Sequence, residues 1–120
     1  MFDEDDVSWH EPWQQFEADL QARWGHRPTI DEILLRIGIF EAGMPEPTSL
    51  TDNERMNILQ MAEATILVPG RYYALFWVED SGWPHYSQLE RLPRMNAAQK
   101  ADFLKPYILY YIEHHRRLKL

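Results

Sequence analysis

Cysteine is absent from this 120-residue chain, which excludes disulfides, thiolate nucleophiles, zinc–thiolate sites and iron–sulfur clusters. Glycine is scarce, at five residues, so few places exist where backbone could closely approach a phosphate. Neither a glycine-rich phosphate loop nor a G-x-S-x-G elbow occurs. No stretch approaches the roughly 18 apolar residues that a membrane span needs. The opening M-F-D-E-D-D is the reverse of a secretory leader, so the expectation is a cytoplasmic protein with no membrane association. Basic surface is lacking too. A net charge of −7 without an aromatic-plus-basic ribonucleoprotein motif argues against nucleic-acid binding. The histidines lack metal-binding spacing. His114 and His115 are adjacent and would point about 100° apart on one helix, so neither a metal nor another cofactor is expected.

The length fits one domain able to bury a core without staples. Charge is divided unevenly along the chain. Residues 1 to 20 hold seven acidic and no basic side chains, whereas residues 91 to 120 hold seven Lys or Arg against Asp102 and Glu113. Opposite ends could attract each other within one molecule or between copies, or could form two solvated faces. Residues 1–8 read as a flexible acidic arm and residues 9–120 as a single helical domain.

The segment Thr29 to Gly43, T-I-D-E-I-L-L-R-I-G-I-F-E-A-G, carries helix signals that agree from end to end. Thr29 and Glu32 form a capping box after Pro28, and Gly43 followed by Pro45 and Pro47 stops the helix. Ile30, Ile33, Leu34, Ile37 and Phe40 define a core face, with Leu35, Ile39 and Ala42 as a second strip, so this helix should be central. Glu32 and Arg36 are spaced for an i,i+4 pair. Glu41 falls within the apolar arc, where helix-end exposure or a structural hydrogen bond would account for it. A preceding helix is expected to run to Trp24, with Trp13, Phe16, Leu20 and Trp24 as its stripe and with Pro12, tolerated only in the first turn, placing its start near Ser8 to Glu11. A following helix opens at the capping box Thr51–Glu54 and carries Ile58, Leu59, Ala62 and Ile66 on one face until Pro69 and Gly70. Met56 and Met61, elsewhere on it, are read as gap-fillers or contact surface.

The run Y-Y-A-L-F-W-V from Tyr72 favours a strand, and E-D-S-G supplies turn chemistry before Trp83 to Leu89 returns. A β-hairpin over about 72–89 results, with Pro84 restricting its strand to an edge or an interruption. Asn96 can cap a last helix from Ala97 to about His115, in which Pro106 should produce a kink or a split after Lys105. The predicted fold is therefore mainly α, an α+β domain of four helices with a small hairpin before the last.

Function is less legible. Tyr72, Tyr73, Phe76, Trp77, Trp83, His85 and Tyr86 crowd into fifteen residues. That is more aromatic area than two short strands can use unless one face completes the core. The preferred reading is a non-catalytic module that binds a protein partner or self-associates, with Tyr73, Trp77, Trp83 and Tyr86 as anchors. The alternative is a small enzyme or ligand-binding protein with its site between the central helix and the hairpin. There Glu41 would be the base and His85 the acid, within about 3 Å of each other or joined by one water. With G-W-P-H-Y and the I-G-I-F-E-A-G helix, residues 25–115 resemble a family of short, uncharacterised bacterial proteins. That resemblance implies attention to Glu41, Gly43, Gly82, Trp83, Pro84 and His85, and implies no activity or cofactor.

Overall fold

A computed structural model describes residues 7–45 and 49–120 of the chain. Residues 1–6 of the expected acidic arm, together with Pro47, lie outside the described residues. Four helices, α1 (His10–Trp24), α2 (Ile30–Glu41), α3 (Asp52–Ile66) and α4 (Ala97–His114), surround one core. A two-stranded antiparallel sheet, β1 (Tyr73–Val78) and β2 (Pro84–Gln88), precedes α4. Among the described residues no helix is long and apolar enough to cross a membrane.

The local stop and start signals act as expected. Thr29 Oγ1 accepts from the Glu32 N–H at 3.1 Å while Glu32 Oε1 accepts from the Thr29 N–H at 3.0 Å. The same reciprocal box opens α3 at Thr51 and Glu54, and α4 at Asn96 and Gln99. Each box satisfies two backbone donors that a helix start leaves without intrahelical partners. Beyond α2, Gly43 takes φ +65°, the left-handed conformation that terminates helices with least strain.

α2 is central, as predicted, with Ile33 and Ile37 fully buried. Gly38 lets it approach α3 closely. A Cβ there would stand 2.5 Å from Ile58 Cγ2 and 2.9 Å from the Ile58 carbonyl. A mid-helix glycine costs about 1 kcal/mol of propensity, and here close packing offsets it. The two methionines of α3 divide: Met61 fills the core and Met56 faces solvent.

Two expectations are corrected. Glu32 does not pair with Arg36; its Oε2 lies 2.7 Å from His26 Nε2, while the Arg36 guanidinium sits 4.5 Å above the Trp24 ring. The short turn after α1 delivers both competitors to the start of α2, and the aromatic face suits a guanidinium. The His26 hydrogen bond, ahead of the Thr29 bonds, holds the Glu32 carboxyl below the usual range. Pro106 does not split α4, which runs unbroken from Ala97 to His114. The missing bond would have gone to the carbonyl of Asp102, an exposed residue whose backbone water can serve.

The hairpin lies across α3 and the end of α2. Pro84, buried at the first position of β2, needs no ladder donor there. Gly82 adopts φ +98° in the turn, and a Cβ on it would be 3.0 Å from the Ala42 carbonyl. The G-W-P-H turn thus rests on the E-A-G end of α2. Between Leu75 and Trp77 the register shifts, leaving Phe76 as an extra, bulged residue. α4 closes the other side through Leu104, Tyr107, Ile108 and Tyr111. Leu118 and Leu120 pack against the core, and Arg23 Nη1 donates to the Leu120 carbonyl at 2.8 Å.

Candidate functional site

The hairpin has two unlike parts. Tyr73, Trp83 and Tyr86 are half-buried toward α3, and Thr65 Oγ1 lies 2.8 Å from Tyr86 Oη and 2.9 Å from the Met61 carbonyl oxygen, two contacts that share its single proton. Burial raises the Tyr86 hydroxyl pKa, and nearby Glu41 adds to the rise against the opposing Thr65 bond. Leu75, Phe76, Trp77 and Val78, in contrast, are 56%, 70%, 49% and 50% exposed. Alternation along a strand ordinarily sends every second residue inward, and here four consecutive large apolar residues stay outside. The bulge at Phe76 disturbs the alternation, and burial is confined to the first two residues of the strand, Tyr73 and Ala74.

Of the expected site residues, Trp77 lies on this exposed surface. His85 stacks flat against it, with ring centroids 4.6 Å apart and planes 5° apart, and its Nε2 lies 2.6 Å from Glu79 Oε2. Glu41 is engaged elsewhere: Tyr111 Oη donates to its Oε2 at 2.5 Å, tying the end of α2 to α4 across 70 positions of sequence. Of the two explanations proposed for Glu41, the structural hydrogen bond is present. Burial, reinforced by Glu41, pushes the Tyr111 hydroxyl far above the ordinary tyrosine range. The structure therefore does not pair Glu41 with His85; each has its own partner.

Tyr86 stands between two depressions. A wide groove of about 930 Å³ between α3 and the hairpin is lined by Tyr73, Trp83 and Tyr86 and by three carboxylates. Each of those has a protein partner: Glu54 in its capping box, Glu63 with Lys100 at 2.9 Å, and Glu79 with His85. A smaller cavity of about 260 Å³ lies on the other side, bounded by Glu41, Thr65, Tyr86, Tyr110, Tyr111 and His115, with Leu75 at its rim. Tyr110 and Tyr111 are neighbours on α4, and which ring faces Glu41 depends on how α4 docks. Among the described residues no group of three or more His, Asp or Glu is placed to hold a metal ion. Comparison with protein-family models, curated proteins and solved structures gave no match.

Proposed function

We propose that the protein is a non-catalytic interaction module that self-associates through the exposed part of β1. The observation that carries this reading is the unbroken run Leu75-Phe76-Trp77-Val78, each residue about half exposed or more. Four consecutive exposed apolar side chains go beyond the singly scattered surface hydrophobics that need no explanation. A two-stranded hairpin is marginal in water, and a second copy covering Leu75 to Val78 would supply burial that the monomer leaves unmade there. Phe76 and Trp77 are rigid anchors of the kind that dominate interfaces. We place the module in the cytoplasm on the strength of its cysteine-free composition.

Molar mass by light scattering over a range of concentrations tests the reading, on the intact chain and on a Phe76→Ser, Val78→Thr variant. Mass should rise with concentration in the intact protein and stay monomeric in the variant, with circular dichroism unchanged. An intact protein that remains monomeric throughout would remove self-association.

A further inference from the structure

The smaller cavity lies where three helices end. Glu41 is the last residue of α2, Thr65 and Ile66 are the last two of α3, and Tyr110, Tyr111 and His115 belong to the final turn and cap of α4. Each helix C-terminus carries about half a negative elementary charge. Basic residues in the last turn commonly offset it, yet α2 and α3 have none, and α4 has only His114. Glu41 adds a carboxylate to this already negative corner. No Lys or Arg lines the cavity. His115, its one ionisable nitrogen base, has Nδ1 2.9 Å from the Tyr111 carbonyl and its ring stacked on Tyr111.

Glu41 is also incompletely used. A carboxylate offers about four lone-pair sites. Among the described residues Tyr111 is its one hydrogen-bond partner, and no cation pairs with it. In the wide groove on the other side of Tyr86, by contrast, every carboxylate has a partner.

We infer that this cavity is a site for an organic ammonium group carried on an apolar stem. The free oxygen of Glu41 takes the N–H donors, and the tyrosine rings supply the π surface that attracts such cations. Ile66, Val68 and Leu75 line the way for the stem. A hard metal ion is a poor fit, since it wants six or more oxygens. The volume, below the roughly 300 Å³ of pockets for drug-sized ligands, suits a single side chain or small amine. This inference does not need β1 to self-associate, although Leu75 belongs to both surfaces.

The probes are Nα-acetyl-lysine methylamide and its uncharged counterpart, Nα-acetyl-norleucine methylamide, titrated while the ring resonances of Tyr110 and Tyr111 are followed by NMR. Saturable binding of the lysine compound is expected in the millimolar range, with the norleucine compound at least ~10-fold weaker. Glu41→Gln should weaken lysine binding ~10-fold, and Tyr110→Leu, at an exposed ring of the lining, ~3-fold. Phe76→Ser should leave lysine binding intact while it disrupts self-association, so the two readings fail separately. Equal binding of norleucine, unchanged affinity in both cavity variants, or no response at about 50 mM would overturn the site. Two further probes distinguish the source: a peptide with lysine between two valines binding more tightly than n-butylammonium assigns the cation to a protein side chain, and equal binding assigns it to a small amine.

Discussion

α2 and β1 are both dense in apolar residues, and they end in opposite environments. α2 is apolar on two sides and buries Ile33, Leu34 and Ile37 against α3 and the rest of the core. All six residues of β1, Y-A-L-F-W-V, are apolar or aromatic, and four of them are exposed. Apolar content alone therefore does not decide burial; the availability of a facing surface does. Gly38 brings α3 against α2, whereas Leu75 to Val78 of β1 stay half exposed or more.

Variants along the two elements should separate accordingly. The largest loss is expected for Ile37→Ala, which empties a fully buried site and should cost about 3 to 4 kcal/mol in urea unfolding. Next is Gly38→Ala. Although alanine is the better helix former, the added methyl would meet Ile58, and a net loss of about 2 kcal/mol is expected. A gain in stability would mean that α2 and α3 can separate without cost, and the contrast with β1 would weaken.

Tyr111→Phe should cost about 1 kcal/mol at neutral pH by removing the bond that anchors Glu41. It also has a pH signature. Because the folded-state hydroxyl pKa is raised, its contribution is fully present below the unfolded tyrosine value of about 10 and is lost as pH rises above it. Stability of the intact protein should therefore fall above about pH 10, and less steeply in Tyr111→Phe. The smallest effect belongs to Phe76→Ser: monomer stability within about 0.5 kcal/mol of the intact protein, despite the loss of a large apolar side chain. A loss of 2 kcal/mol or more at low protein concentration would show that Phe76 supports the monomer itself.

What could be read from sequence follows the range of each interaction. The capping boxes at Thr29, Thr51 and Asn96 join residues three apart, and all three are present. The Glu32–Arg36 pair was equally local, yet it lost to His26 and Trp24, which the preceding turn brings within reach. Pro106 carried a local signal for a split, yet α4 continues through it to His114. At the candidate site Trp77 and His85 are near neighbours in the ladder, whereas Glu41 meets Tyr111 only after three intervening elements have folded.

The sequence by itself determined the four helices, their starts, and the hairpin with its glycine turn. Those choices depend on backbone groups and side chains within a few residues of one another. Tertiary structure alone decided which apolar residues are covered, that Gly82 rests on Ala42, and that three helix C-termini meet around Glu41. Burial and convergent charge arise between segments far apart in the chain, and no local pattern encodes their distance.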